Sequence, residues 1–278
     1  MKEKFDRLSA ECSKLATRRY STSFFLGINF LDKELHQPIY AIYGFVRLTD
    51  EIVDSFHNYD KRELLNKFRK DCFEAIELGI SLNPILNAFQ ETVNKYHIDH
   101  QLINQFLHSM EMDLDDQHYD QQKFEEYILG SAEVVGLMCL YVFTNGNKAR
   151  YEALKPGAMR LGAAFQKVNF LRDIGADYLQ LNRSYFPGID LKHFSETDKK
   201  KIEQEIEQDF NEALKDIRKL PKSSRRGVYL AYQYYRELFK KIKLASACVV
   251  FSKRFRISNG SKLILIFDTL LKHQLNYL

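Results

Sequence analysis

Apolar residues return every three or four positions along almost the whole of this chain, and the strict alternation of a half-buried strand is hard to find in it. That spacing stacks side chains on one face of a helix, so the pattern constrains the chain to an all-α fold. Glycine and proline, the residues that interrupt helices, number only 12 and 5 in 278, and no repeat or low-complexity stretch intervenes. Helices are predicted over about 3–19, 35–56, 60–78, 83–96, 99–112, 121–143, 148–153, 157–181, 198–219, 222–242 and 260–276. Pro38 suits a first helical turn, and Pro187-Gly188 reads as a turn after a long helix. The length fits a single domain over 1–278.

Several function classes are excluded by what the sequence lacks. Basic and acidic residues number 41 and 37, a net charge of +4, and the basic pairs Arg18-Arg19 and Arg225-Arg226 are isolated, so no nucleic-acid partner is expected. Cys12, Cys72, Cys139 and Cys248 show no CxxC spacing and read as reduced, mostly buried thiols of a cytoplasmic protein. The charged stretch Met1 to Arg7 precedes no apolar run, so no signal peptide is expected. Ile128 to Phe143 is about 16 residues long, short of a bilayer span, and reads as a buried helix whose small residues Gly130, Ser131, Ala132 and Gly136 admit a close neighbour. His97 and His100 form no zinc signature and belong on the surface. The acids Asp113, Asp115 and Asp116 lack the glycine and final glutamate of an EF-hand loop.

Two windows carry chemistry. In Tyr40-Ala-Ile-Tyr-Gly-Phe-Val-Arg-Leu-Thr-Asp-Glu-Ile-Val-Asp54, Asp50 and Asp54 lie one helical turn apart, with Tyr43 and Arg47 continuing the stripe and Glu51 beside it. Like charges at i and i+4 repel, so the pair destabilises the helix unless a cation sits over it. Gln166, Asn169, Asp173 and Asp177 form a second stripe on a helix otherwise carrying Leu161, Phe165, Val168, Phe170, Leu171 and Ile174. Such a stripe needs partners or an ion. Carboxylates on two facing helices suit Mg²⁺, which prefers oxygen ligands and binds together with phosphates. Arg47, Arg172 and Arg183 are candidate phosphate donors. A pair of internal salt-bridge networks is the competing reading.

These windows resemble the phytoene/squalene synthase family. Its first motif, Tyr-Ala-Phe-Cys-Arg, two residues, then Asp-Asp-x-x-Asp, stands here as Tyr43-Gly-Phe-Val-Arg47-Leu-Thr-Asp50-Glu51-Ile-Val-Asp54. Its second, Gln-x-x-Asn-x-x-Arg-Asp-x-x-Glu-Asp followed by Gly-Arg-x-Tyr-x-Pro, is matched by Gln166 to Asp177 and Asn182-Arg183-Ser-Tyr185-Phe-Pro187. Weaker likenesses lie at Ser21-Thr-Ser23-Phe24, Met110 to Leu114, Tyr127 to Met138, and Arg254 to Ser258 with Lys262. Glu51, Ala176 and Asn182 depart from the pattern, and Ala176 removes one acid near the metals.

The resemblance implies a single helical bundle with a deep central cavity and the acidic helices facing each other across its mouth. It implies a Mg²⁺-dependent prenyltransferase that joins two isoprenoid diphosphates head to head through a cyclopropyl diphosphate. Tyr43, Arg47, Asp50, Asp54, Gln166, Asn169, Asp173 and Asp177 are then catalytic. Ser21, Ser23, Phe24, Arg47, Arg172, Arg183 and Tyr185 bind substrate, with helix capping as the alternative for the serines. Asp50, Glu51, Asp54, Asn169, Asp173 and Asp177 hold metal. Two geranylgeranyl diphosphates giving phytoene is the preferred reaction. Two farnesyl diphosphates giving squalene or dehydrosqualene is the runner-up, with NADPH required only for squalene. A noncatalytic helical assembly protein and a head-to-tail prenyl elongating enzyme are the rivals. Greasy substrates suggest a protein of the cytoplasm, peripheral to the inner face of the membrane, with Lys262 to Leu278 as a contact surface or as a helix packed on the bundle.

Overall fold

The computed structural model describes residues 1–115, 119–181, 183–258, 260–262, 264–266 and 269, and among these no β-strand occurs. The helices are α1 (Lys2–Tyr20), α2 (Thr22–Asn29), α3 (Lys33–Ser55), α4 (Lys61–Leu78), α5 (Pro84–Tyr96) and α6 (His100–Asp115), followed by α7 (Gln121–Ile128), α8 (Val134–Phe143), α9 (Lys148–Leu181), α10 (Glu196–Ile217), α11 (Lys222–Lys243) and α12 (Ala247–Ser252). Local chemistry sets many ends. Asp60 and Asp120 accept from the third amide of α4 and α7, Asn83 caps α5 with Pro84 in its first turn, and Ser195 and Asp198 form a reciprocal capping box on α10. Gly79, at φ 69°, closes α4 in the left-handed conformation that favours glycine.

The predicted all-α class holds, with local differences. Helices α2 and α12 lie where no helix was expected, being short and uniformly apolar or small, without a polar face to mark their period. The two segments expected at 148–153 and 157–181 are one helix, α9, with Pro156 inside it. Proline removes one intrahelical bond and strains a turn, yet burial of the flanking residues carries the helix through. Likewise α3 begins before its expected start, which leaves Pro38 inside the helix and not in its first turn. The four cysteines are free, but only Cys72 is buried; Cys12 and Cys139 are half-buried and Cys248 is exposed.

A π-helical turn, Leu129–Glu133, joins α7 to α8. The resulting run Gln121–Phe143 is 23 residues long and apolar enough to match a bilayer span by length and composition, longer than the stretch read from sequence. Within the bundle, Val134, Leu137, Met138, Leu140 and Val142 are buried, while Ser131, Val135, Gly136, Cys139 and Phe143 line the central cavity. The small residues expected to admit a neighbour do so. A Cβ on Gly162 of α9 would stand 2.6 Å from the Ala132 carbonyl.

Helix α3 runs through the middle of the molecule, packed on α1, α5, α6 and α8, and α9 lies along α8 and α10. Phe45 of α3 stacks on Phe89 of α5 with centroids 4.0 Å apart, and Phe106 closes in at 5.4 Å. This aromatic contact fixes the rotation of α3, and so directs its polar stripe the other way, toward α9.

Candidate active site

Residues of α2, α3, α8, α9 and α11 enclose a cavity of about 730 Å³. On α3 the lining changes character along the helix, from Ile39, Ile42 and Val46 to Asp50 and Asp54. At 1.5 Å per residue about 22 Å separates Ile39 from Asp54. Helix α9 repeats the gradient, from Leu154 and Leu161 through Gln166 and Asn169 to Asp173 and Asp177. The result is a mainly apolar end, where Asp216 stands against Gly157, and an acidic mouth, with the two predicted acid stripes on opposing walls.

The carboxylates at the mouth are under electrostatic load. Burial pushes Asp50 up to about 7, with Asp54 adding to the rise and Arg47, 3.8 Å away, opposing it. Burial and then Asp173 raise Asp177 to about 6, against the pull of Arg183. Asp113 of α6, also on the lining, is pushed to about 7 by burial, although Arg183 and a 2.6 Å hydrogen bond donated by Tyr127 favour its charged form. Arg183 ties the walls together. Its guanidinium lies 3.8 Å from both Asp54 and Asp113 and donates to the Asp113 carbonyl at 2.7 Å, while its backbone N–H donates to the Asp177 carbonyl at 3.0 Å. These acids repel one another and present hard oxygen donors, the chemistry that a divalent cation with a phosphate relieves. Among the described residues, no three His, Cys, Asp or Glu side chains stand together in a group that could hold a metal ion by themselves.

Between mouth and apolar end stands a box of aromatic rings. Phe24 lies 5.9 Å from Tyr43, 6.3 Å from Phe165 and 6.0 Å from Tyr235, and Phe165 stacks on Tyr235 at 3.8 Å. The Tyr235 hydroxyl donates to Asn169 at 3.4 Å, and Asn169 donates to Gln166 at 3.5 Å. Burial raises the Tyr43 hydroxyl to about 12, so that ring keeps its proton.

Of the residues singled out in the sequence, Phe24, Tyr43, Arg47, Asp50, Asp54, Gln166, Asn169, Arg172, Asp173, Asp177, Arg183 and Tyr185 all line this one cavity. Ser21, Ser23 and Glu51 do not. Ser21 is the N-cap of α2, accepting from the Phe24 amide at 3.2 Å, and it also hydrogen-bonds Tyr43; Ser23 is half-buried beside it. Glu51 turns from the cavity to pair with Arg47. Burial works upward on its carboxyl, but hydrogen bonds from Ser55 and Arg47 and the Arg47 charge outweigh it and hold it below the ordinary value. Tyr185 stacks on Phe170 at 3.9 Å and accepts from Arg183 at 3.3 Å. Asn182 and Asp116 lie outside the described residues, as do Leu263, Phe267, Leu270 and Leu271 of the proposed contact tail; Ile264 is exposed.

Five contributors were not assigned to the site from sequence: Asp113, Tyr127, Tyr235 and Arg254 on the lining, and Tyr20, whose ring lies 4.3 Å from the Arg47 guanidinium. Asp113, Tyr127 and Arg254 sit in stretches already likened to the family. Tyr20 and Tyr235 are placed by helix crossings that no local pattern signals.

A family model described as squalene/phytoene synthase matches residues 17–261. The chain is 28% identical to the chloroplastic phytoene synthase 1 of Zea mays over 95% of its own length and 67% of that protein's. A solved dehydrosqualene synthase in complex with ligand superposes with a TM-score of 0.82 at 22% identity, covering 98% of both chains. A solved squalene synthase from Alicyclobacillus acidocaldarius gives 0.75 at 20% identity, covering 86% of this chain and 94% of that one. At such identities the two structures speak for the fold alone. Because the matched span takes in both acidic walls and every ring of the aromatic box, this chain belongs to the squalene/phytoene synthase family, the head-to-head isoprenoid synthases.

Proposed function

We propose that residues 1–278 act as one catalytic domain that condenses two geranylgeranyl diphosphates to phytoene. The observation that carries this reading is the gradient of a single cavity, from paired carboxylates through an aromatic box to an apolar end about 22 Å of helix away. Asp50 and Asp54 on one wall and Asn169, Asp173 and Asp177 on the other are the oxygen donors suited to Mg²⁺. Bound there, the ion would offset the charge that diphosphate gains as it leaves. Glu51 takes the lesser part of holding Arg47 in place.

Arg47, Arg172 and Arg183 orient the diphosphate oxygens so that the allylic C–O bond points into the box. When that bond breaks, the faces of Phe24, Tyr43, Phe165 and Tyr235 favour the positive carbon without offering it a nucleophile. The double bond of the second substrate attacks that carbon, a proton is lost, and the cyclopropane closes. The second C–O bond then breaks, the skeleton rearranges, and a further proton loss leaves the hydrocarbon. The apolar walls keep water from the cations throughout.

The phytoene synthases among the relatives support the C20 substrate. Two farnesyl diphosphates are the alternative, with NADPH needed only if the cation is reduced to squalene. Product mass decides: C20 and C15 diphosphates are supplied separately with Mg²⁺, with and without NADPH. A C40 hydrocarbon formed without NADPH is expected. A clear preference for C15 substrate would replace the substrate assignment, and no hydrocarbon from either would favour a noncatalytic assembly role. The greasy product also leads us to infer peripheral contact with the inner membrane face from the cytoplasm; absence of flotation with anionic vesicles in the presence of substrate would count against it.

A further inference from the structure

The carboxylate of Asp173 is held by two arginines of the chain itself. Arg172 donates to it through Nε at 3.0 Å and Nη2 at 2.5 Å, while Arg254 donates through Nη2 at 3.3 Å and holds its Nε 2.9 Å from the other carboxylate oxygen as an ion pair. An ionised carboxylate has about four acceptor sites, and three N–H bonds together with the Arg254 Nε contact crowd them. A cation at Asp173 therefore competes with the two guanidinium groups for the same oxygens. Arg172 is the neighbouring residue on the same helix and is half-buried. Arg254 is half-exposed and stands on residues 253–258, which run without helix from the end of α12 past the cavity mouth.

That segment has a firm root, and beyond it Phe255 and Ile257 pack on the core while the polar residues make scattered contacts. At the root, α12 lies so close on α9 that a Cβ on Gly175 would overlap the Phe251 carbonyl, and the Phe251 ring sits 6.0 Å from Tyr178 and 6.4 Å from Phe194. Beyond Arg254, Lys241 reaches the Arg256 carbonyl at 3.5 Å, and Lys262 donates to the Thr22 hydroxyl at 2.7 Å on the opposite rim. The segment is thus a strap across the mouth, with Phe255 and Ile257 packed on the core and Arg254 paired with the acidic wall at Asp173.

We propose that Arg254 is an internal stand-in for the metal at Asp173: it holds the strap closed in the unloaded protein and is displaced when a divalent cation takes the carboxylate. This rests on the reading of Asp173 as a metal ligand. A ligand shifts an equilibrium only by its preference for one state, and a cation at Asp173 prefers the state in which Arg254 has left. Arg254 would then be a positioning residue that sets how readily the site loads.

The test uses Mn²⁺ alone, with no diphosphate, so that any contact between Arg254 and phosphate plays no part. Mn²⁺ binding is measured by electron paramagnetic resonance in the parent, Arg254→Gln, Arg254→Lys and Asp173→Asn, and hydrogen exchange of 253–258 is followed in the parent. A half-exposed ion pair is worth up to about 1 kcal/mol, so Arg254→Gln should bind Mn²⁺ about 2- to 5-fold more tightly. Arg254→Lys, which keeps the charge without the fork, should fall between, and Mn²⁺ should speed exchange across 253–258 in the parent. Equal or weaker binding by Arg254→Gln, or exchange unaffected by Mn²⁺, would overturn the inference while parent binding lost in Asp173→Asn still supported the metal site. Mn²⁺ bound by neither the parent nor Arg254→Gln would remove the metal reading and this inference with it.

Discussion

Tyr127 donates a 2.6 Å hydrogen bond to the buried carboxylate of Asp113, and that bond does not offset the cost of burying the charge, since Asp113 is still pushed up to about 7. Arg183 and Tyr119 also favour its ionised form, while Asp54 across the mouth opposes it. A carboxyl whose folded value lies above its unfolded one binds more protons in the folded state. Its contribution is therefore greatest below about 4 and is lost as pH rises through about 7. Thermal unfolding of the parent and Asp113→Asn at pH 5 and pH 8 checks this. The parent should lose more stability between those values than the variant does; equal losses would contradict it.

The aromatic box separates two roles of Tyr235, its ring against Phe24 and Phe165 and its hydroxyl on Asn169. Tyr235→Phe keeps the ring, and its turnover should stay within a few-fold of the parent. Tyr235→Leu loses the π face, a contribution of about 0.5–2 kcal/mol to a nearby cation, so turnover should drop about 2- to 30-fold. Alcohols from water capture should rise in the product. Equal behaviour of the two variants would argue that the ring is mere packing.

The close approach of α9 to the π-helical turn makes Gly162 sensitive. Gly162→Ala would place a methyl 2.6 Å from the Ala132 carbonyl, and backbone cannot yield as a side chain can. Destabilisation of about 1–3 kcal/mol is expected in urea unfolding, the usual cost of overpacking. A change below about 0.5 kcal/mol, the range of neutral surface substitutions, would mean the helices separate freely.

The acid stripes were legible because their cost is local. Asp50 and Asp54 repel within one turn of an apolar helix, and Gln166 to Asp177 break the apolar face of another, so each needs an explanation that the sequence already poses. Glu51 has the same charge and nearly the same place, yet points elsewhere, since Arg47 stands one turn before it and claims it. Helix α2 was invisible for want of a polar face, and the break expected between 153 and 157 does not occur, since α9 runs on through Pro156. Arg254 lay in a stretch already likened to the family, but its pairing with Asp173, like the role of Tyr235, depends on where the C-terminal strap and α11 meet α9, a long-range outcome.

The central claim is that the facing acids hold Mg²⁺ and diphosphate together, and release of diphosphate from C20 substrate tests it most directly. Release is measured in the parent and in Asp173→Asn, with Mg²⁺ and with excess EDTA. The parent should release diphosphate only with Mg²⁺, and Asp173→Asn should be slower by about 100-fold or more, the scale of losing one preorganised electrostatic contact in a transition state. Release by Asp173→Asn at the parent rate, or by the parent undiminished in EDTA, would contradict it.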